Sequence, residues 1–428
     1  MKSRIISLTA AVALALSTLA ATIETDRTWY LAGEPMTVSV TADSAMIAYA
    51  ELCDRHGLAA GTVVSLKEGV RREGVRREGK WVIELPSDLH SGYYVLSVYT
   101  RHDTNVLQRL VAVINPLRKS ADDDMEWVSG DSCWVMGDGT ADLVSRKTVD
   151  VRETEGHVVR AHVKSVYDGH TFTGSQISPS LSIIGKQIHY FEGKMVNDST
   201  AVFYTYGIHG KQPLVLSAMT STGVSLPIEM ISPFATLLPK QLPHLVFHYK
   251  RSEVEARSLN MQRHQMAIAP AKRELKMGDF SDDTAEDVVP LEYDETVLGT
   301  KPDLSYNLDE YRQFLTVREV LLEYVSCVKN KKVDGVPQLF VRKELDQYNT
   351  SFPTLVLIDG MPVFDVERLL NYYARRIHYI NIYAEQYTFG NGVYNGILSF
   401  VTRSGQLTNY PTERNMQYLV YDFPGFCN

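Results

Sequence analysis

The chain has 428 residues, of which 44% are hydrophobic and 22% are charged, and its formal net charge at pH 7 is −8. This length corresponds to about three domains of ordinary size, and the hydrophobic fraction supplies each of them with side chains for a core. The acidic balance argues against a nucleic-acid-binding protein, because such proteins need a basic surface that neutralises phosphates. The sequence therefore predicts no nucleic-acid partner.

A secretory signal peptide is predicted over residues 1–20. Lys2 and Arg4 precede the mostly apolar run 5–19, and small residues around Ala20 offer a cleavage site after it. The run is shorter than the ~20 apolar residues that a membrane-spanning helix needs, so cleavage is favoured over anchoring. No cysteine lies at the cleavage site and no later stretch reaches spanning length. We expect an exported protein, in the periplasm or at the outer-membrane surface, without a transmembrane segment in the mature chain.

Residues 21–116 are predicted to form a β-sandwich. Met36, Val38 and Val40 alternate with polar residues, a pattern typical of a half-buried strand. Further strands are predicted at 45–52, 81–85 and 93–99.

Short motifs in this region resemble the second macroglobulin-type domain of the α2-macroglobulin superfamily. They are Thr25–Arg27 with Tyr30 and Gly33–Glu34, then Leu85–Pro86, Leu89, Ser91–Tyr94 and Tyr99–Arg101. The resemblance implies a single sandwich of about a hundred residues. None of the four cysteines is followed by the Gly-Glu-Gln of the macroglobulin thioester, which disfavours covalent protease trapping.

A five-residue segment, Gly69–Glu73, is repeated at once as Gly74–Glu78. The repeat predicts a small duplication in a hairpin loop. Its four arginines could meet an anionic ligand, but the interleaved glutamates cancel half of their charge. An exposed loop without a ligand is favoured, since loop tips tolerate insertions.

Residues 125–250 are predicted to form a second β-sandwich, because short strands recur through them at 133–136, 148–152, 158–166, 200–206 and 213–219. Residues 251–305 are predicted to be a linker, acidic in part. A calcium loop at Asp282–Asp287 is disfavoured, because the segment lacks the ligand spacing and turn glycine of an EF-hand.

Residues 306–428 are predicted to form a small α/β domain. Thr316 and Glu319 make a capping box before a helix with an apolar face, and a strand follows at 338–341. Further along, strands are predicted at 355–358, 361–364, 377–383 and 396–402, with a turn at Asp359-Gly360 and a helix over 366–373 that Asp365 caps.

Two stretches of this domain, Pro353–Asp365 and Gly390–Gly405, resemble the plug domain of TonB-dependent outer-membrane receptors. The resemblance implies a structural role, not a catalytic one, for six residues: Asp359, Gly360, Gly390, Gly392, Gly396 and Gly405. We expect no transport barrel here, because only 23 residues follow Gly405, whereas plugged transporters use about 22 strands. The tail 418–428 matches no motif and is expected to add an edge strand to the plug-like sheet.

Taken together, the chain resembles a family of secreted envelope proteins of Bacteroidetes-type bacteria, with a macroglobulin-like domain, a second sandwich and a plug-like domain. The fold class expected is therefore multidomain and mainly β, with two Ig/macroglobulin-like sandwiches followed by a small α/β domain. Three of the four cysteines, Cys53, Cys133 and Cys327, are expected to be free and mostly buried, and a bond between Cys327 and Cys427 stays open.

No familiar catalytic or cofactor motif occurs, so neither a catalytic residue nor a cofactor is predicted. His244 and His248 have metal-like spacing, but the residues between them indicate a strand, on which they would lie about 13 Å apart. We expect a non-enzymatic protein that binds an envelope partner, with an outer-membrane β-barrel as the candidate. The alternative is an enzyme or protease-inhibitor-like protein whose site is assembled between domains.

Overall fold

A computed structural model describes residues 22–42, 47–71, 74–102, 104, 106–118, 120, 124–136, 153, 156–184, 189–220, 222–273, 300–333, 335–342, 354–389, 392–403 and 414–424. Of these residues, 55% lie in strands and 13% in helices, so the chain is mainly β, as predicted. Among them, no helix is long and apolar enough to cross a membrane. The predicted signal peptide lies outside the described residues.

In the N-terminal unit, residues 22–118, the described residues form nine strands in two sheets of order β1-β3-β7-β6 and β2-β9-β8-β4-β5. The strands are β1 (Thr22–Thr25), β2 (Trp29–Leu31), β3 (Pro35–Ala42), β4 (Ile47–Cys53), β5 (Leu58–Ser65), β6 (Lys67–Arg71), β7 (Gly74–Glu84), β8 (Gly92–Tyr99) and β9 (Val106–Ile114).

One apolar core lies between these two sheets. Met36, Val38 and Val40 of β3 are at most 3% exposed and pack with Leu52 and Leu96 of the other sheet. The alternation in the sequence therefore identified the inward face of β3 correctly. The repeat at Gly69–Glu78 forms the end of the β6–β7 hairpin, with residues 72 and 73 outside the described part.

In the middle of the chain, the described residues form twelve more strands: β10 (Met125–Ser129), β11 (Trp134–Met136), β12 (His157–Val163), β13 (Val166–Tyr167), β14 (His170–Thr171), β15 (Ile177–Ile183), β16 (His189–Glu192), β17 (Lys194–Asn197), β18 (Thr200–Thr205), β19 (Gly210–Thr220), β20 (Ile228–Met230) and β21 (Leu245–Tyr249). The predicted strand at 148–152 lies outside the described residues.

The two ends of the predicted second sandwich do not belong to it. β10, β21 and β11 form a separate three-stranded sheet, in which β10 and β21 run parallel. Leu245 and Phe247 of this sheet pack on Trp29, Leu31 and other apolar residues of β2 and β9 in the N-terminal unit. Because partners about 120 residues apart pair here, local strand patterns could not reveal the arrangement.

The middle unit consists of sheets β17-β18-β12-β20 and β16-β15-β19-β29 around one apolar core, and the last strand, β29 (Gln417–Phe423), comes from the end of the chain. β29 pairs with β19 from Gly210↔Phe423 to Leu216↔Gln417. The sequence led us to expect that the tail would add an edge strand to the sheet of the C-terminal domain; this prediction was wrong, because the tail pairs with the middle unit instead. Tyr421 and Phe423 of β29 are buried in the core of the middle unit, and the burial of these two rings stabilises the pairing of β29 with β19.

The start of the predicted linker is helical. α1 (Arg251–Arg273) follows β21 directly and lies against the N-terminal unit, where Gln265 donates to the carbonyl of Gly33 at 2.6 Å. Arg257 stacks 3.6 Å from the ring centroid of Trp29. These long-range contacts stabilise a helix whose own sequence has a weak apolar face. The acidic segment 274–299, with the disfavoured calcium loop, lies outside the described residues.

The C-terminal unit, residues 300–403, has a sheet of order β22-β27-β28-β25-β26, a β23–β24 hairpin and two short helices. The bounds are β22 (Leu304–Asn307), α2 (Val317–Glu323), β23 (Val328–Val333), β24 (Val336–Val341), β25 (Leu355–Ile358), β26 (Met361–Pro362), α3 (Val366–Leu370), β27 (Ile377–Phe389) and β28 (Gly392–Thr402). Short 3-10 turns lie at Gly174–Gln176, Leu308–Glu310 and Ala374–Arg376.

Local signals in the C-terminal unit were accurate. The Thr316 side chain accepts from the backbone of Glu319 and the Glu319 side chain accepts from the backbone of Thr316, which completes the predicted capping box of α2. Asp365 caps α3 by accepting from Arg368 N, although the helix ends at Leu370 and not at residue 373.

Both faces of the C-terminal sheet are buried. Val356, Ile358 and Phe400 face the helices, whereas Leu357 and Tyr383 face the middle unit and pack with its Tyr190 and Met219. The unit is thus fixed to the middle unit by sheet packing, and β29 runs beside it.

Candidate functional site

We take the C-terminal unit as the candidate site, because it contains Asp359, Gly360 and the glycines that the sequence analysis singled out. Asp359 and Gly360 form the tight turn between β25 and β26, with φ of +47° and +79°. The fully buried Asp359 carboxylate accepts from Thr402 N at 2.7 Å and from Thr402 Oγ1 at 2.6 Å, while Asp359 N donates to Phe400 O. The turn is thereby tied to the end of β28, an arrangement that fits a structural role.

The predicted glycines have different places. Gly392 begins β28, whereas Gly390 and Gly405 lie outside the described residues. Gly396 has φ +82°, and a Cβ there would lie 2.7 Å from the carbonyl oxygen of Tyr383. It sits where the β27–β28 register shifts, so only glycine fits this bulge without strain.

Among the described residues, β22 is the terminal strand at one edge of the C-terminal sheet, with Leu304 45% exposed and Ser305 also exposed. The opposite terminal strand, β26, has two residues, both buried. Leu315 and Leu322 of the same unit are 64% and 80% exposed. Such an edge can accept an added strand from another protein.

A second polar assembly joins three parts of the chain in the interior. Tyr49 OH lies 2.8 Å from both carboxylate oxygens of Glu153, and Arg101 Nη1 lies 3.3 Å from Glu153 Oε1. His157 Nδ1 lies 3.1 Å from Glu153 Oε1, and His157 Nε2 lies 2.7 Å from Tyr421 OH. We call these five residues the buried joint, since each is at most 8% exposed.

Electrostatics fix the protonation of the joint. Burial alone would raise the pKa of Glu153, but the hydrogen bond from His157 and the Arg101 charge outweigh it and the pKa is lowered. Burial lowers the pKa of His157 despite the nearby carboxylate. A neutral His157 donates from Nδ1 to the Glu153 carboxylate and accepts from Tyr421 OH at Nε2. Each proton of the buried joint is therefore held in a defined hydrogen bond, and the five side chains have little contact with solvent.

A second polar contact joins the segment after β20 to the N-terminal unit. Glu51, which is fully buried, accepts from Leu237 N at 2.6 Å, from Thr236 N at 3.1 Å and from Tyr99 OH at 3.0 Å. The Glu51 contacts and the buried joint together hold the N-terminal and middle units to each other, and the polar groups in both are hydrogen-bonded.

Sequence reasoning missed the buried joint. The local signal was the spacing of Glu153 and His157, four residues apart, but the other members lie at positions 49, 101 and 421. As expected, His248 lies on a strand; its ring stacks on Trp134 with centroids 3.8 Å apart. Among the described residues, no group of three or more His, Cys, Asp and Glu could hold a metal ion.

The cysteines in the described part of the chain are free, as predicted. Cys53 is buried, while Cys133 and Cys327 are half-buried, and Cys427 lies outside that part. Burial raises the pKa of Cys53 to about 12, so its thiol stays protonated and unreactive.

Neither a family model nor a curated protein matches the chain. Among solved structures, it is similar to the BSP domain of a biofilm associated protein, with 8% identity over 54% of this chain and 30% of that chain, at a TM-score of 0.16. It is also similar to three N-terminal domains of the highly immunogenic outer capsid protein Hoc of bacteriophage RB49, with 10% identity over 54% of this chain and 99% of that chain, at a TM-score of 0.08. Similarity this low identifies neither fold family nor function.

Proposed function

We propose that the protein is a non-enzymatic docking protein of the bacterial envelope, exported to the periplasm or to the outer-membrane surface. In this proposal the macroglobulin-like and middle units act as a spacer, and the plug-like C-terminal unit docks another envelope protein, with an outer-membrane β-barrel as the candidate. The observation that carries the proposal is that β22 is the terminal strand of the C-terminal sheet among the described residues, together with exposed Leu304, Leu315 and Leu322 on the same unit. A strand edge supplies backbone hydrogen bonds, and the leucines supply apolar contact area.

For the alternative, an enzyme or inhibitor with a site assembled between domains, we consider the buried joint, since it joins residues of two units and contains an acid, an imidazole and two phenols. All five of its side chains are at most 8% exposed. Pairing within the joint also occupies both nitrogens of His157. These contacts favour a structural role for the joint.

The test is an affinity pull-down from the native envelope with the full mature chain. Truncation after β22 is unsuitable, because it removes β29 from the middle unit. The informative variant instead carries aspartate at Leu304, Leu315 and Leu322, one position each in a strand, a loop and a helix. A matched control carries aspartate at Leu58, Leu117 and Leu259, which are exposed at the same three kinds of position outside the C-terminal unit.

We expect an envelope protein that the wild type and the control recover and the C-terminal variant loses. Equal recovery by all three, or no specific partner, would refute docking through the C-terminal unit. Hydrolysis of a glycan or peptide by the purified chain would favour the enzymatic alternative.

A further inference from the structure

A depression that is open to solvent lies on the C-terminal unit beside α3. Its volume is about 550 Å³, within the range of roughly 300 to 1,000 Å³ that small-molecule sites occupy. Its lining comes from α3 with its two caps and from the segment that follows: Asp365, Glu367, Arg368, Asn371, Tyr372, Tyr373 and Arg376. None of these lining residues is aliphatic, whereas ordinary small-molecule sites are lined mainly by apolar side chains.

Tyr372 forms the floor of the depression, because it is the most buried of the lining residues, with 5% exposed. The half-buried Arg376 donates a hydrogen bond to the Tyr372 hydroxyl oxygen. Burial raises the pKa of Tyr372, so the hydroxyl keeps the proton with which it can donate to a ligand. The half-buried ring of Tyr373 stands beside them, with its centroid 5.9 Å from the guanidinium carbon of Arg376.

Contacts within the unit hold the polar groups on the α3 side in place. Glu367 Oε1 accepts from Arg318 Nη2 and from Asn371 Nδ2, the latter at 3.3 Å. Asp365 Oδ1 accepts from Arg368 N at 3.2 Å, and Asp365 Oδ2 lies 3.6 Å from Arg368 Nε. Because these side chains are ordered by their neighbours, a ligand loses less free energy in ordering them.

The formal charges of the lining cancel. Asp365 and Glu367 supply two carboxylates, and Arg368 and Arg376 supply two guanidinium groups. An anion or a cation would therefore meet groups of its own sign as well as groups of the opposite sign. A neutral hydroxyl both donates and accepts hydrogen bonds, so it can pair with every polar group of this lining.

We infer that the depression binds a neutral carbohydrate. The hydroxyls of the sugar donate to the two carboxylates and accept from the guanidinium groups, the Asn371 amide and the Tyr372 hydroxyl. The C–H groups of the sugar ring pack on the Tyr373 side chain, whose body is apolar. The inference goes beyond the proposed docking function and does not depend on it.

The test is saturation-transfer difference NMR of four neutral sugars, glucose, galactose, mannose and N-acetylglucosamine, with the full mature chain. Because the depression is open and its contacts are polar, we expect at least one of them to bind with a dissociation constant on the order of 1 mM. Citrate, an anion without a sugar ring, is measured beside them and should bind more weakly than that sugar.

Two variants locate the binding. Asn371→Trp fills the depression with a large ring, and its matched control is Asn260→Trp at an exposed position of α1. Glu367→Gln removes one carboxylate and the exposed pair with Arg318, and its matched control is Glu255→Gln, which removes the exposed pair with Arg251.

We expect Asn371→Trp to weaken sugar binding about tenfold or more and Glu367→Gln about threefold or more, with both controls as in the wild type. An unchanged urea midpoint of each variant shows that the fold is kept. Any other pattern among the four variants, or no binding of any of the four sugars, would overturn the inference. Tighter binding of citrate than of every sugar would overturn it as well and would indicate an anion site.

Discussion

The hydroxyl of Tyr421 lies 2.7 Å from Nε2 of His157, a residue 264 positions earlier in the chain. The same imidazole reaches Glu153 through Nδ1, and Glu153 in turn meets Tyr49 and Arg101 of the N-terminal unit. The end of the chain is therefore connected to its first sheets through one buried chain of hydrogen bonds. Loss of any member leaves a buried polar group without a partner, which costs more than the bond itself contributes.

Tyr421→Phe tests the joint at its last member. The substitution keeps the ring in the core but removes the donor to His157, and we expect a loss of about 1 kcal/mol in the free energy of unfolding. Urea unfolding measures this loss. Tyr204→Phe is the control, because Tyr204 lies in β18 of the same unit and is 44% exposed. Equal effects of the two substitutions would contradict a special role for the Tyr421 hydroxyl.

Acid should weaken the joint in two steps. The pKa of folded His157 lies below its unfolded value of about 6.5, so the unfolded chain binds a proton that the folded chain excludes, and stability falls as the pH drops below about 6.5. Glu153, whose folded pKa is also lowered, adds a second loss below about pH 4.3.

The urea midpoint measured from pH 7.5 to pH 5 checks the first step. His157→Gln should flatten this dependence, because glutamine takes up no proton. His162→Gln, at an exposed position in the same strand, should leave it as in the wild type. An unchanged slope for His157→Gln would contradict the assignment.

The contact between α1 and the N-terminal unit should depend on Arg257. Its Nε donates to Glu34 Oε1 at 3.0 Å, and Glu34 is only 4% exposed. Arg257→Ala removes the main partner of a buried carboxylate and a cation–π contact with Trp29, so we expect a loss of about 2 kcal/mol. Faster hydrogen exchange in residues 251–267 should accompany it. Arg263→Ala, on the exposed side of α1, should change neither quantity.

Export can be tested by the mass of the protein recovered from cells. We expect cleavage after Ala20, so that the mature chain begins at Ala21. An intact N-terminus on protein from the envelope would contradict the predicted signal peptide.

The sequence predicted elements that depend on neighbouring residues. The capping box of Thr316 and Glu319, the Asp359-Gly360 turn and the inward face of β3 all rest on spacings of a few residues. It could not predict β29, whose partner strand ends about 200 residues earlier, nor the pairing of β10 with β21. The buried joint was missed for the same reason, because burial of Glu153 and His157 depends on residues from distant segments.

Gly396 allows steric crowding to be separated from backbone strain. Gly396→Ala meets both, since φ is +82° and the new Cβ would lie 2.7 Å from the Tyr383 carbonyl oxygen. Gly169→Ala introduces backbone strain without crowding, because φ of Gly169 is +76° and no neighbouring atom lies within 4 Å of the new Cβ. We expect Gly169→Ala to cost about 1 kcal/mol of unfolding free energy and Gly396→Ala clearly more, as the β27–β28 bulge must shift. Similar losses in urea unfolding would show that the bulge relaxes freely, and that the glycine is required only for its dihedral angle.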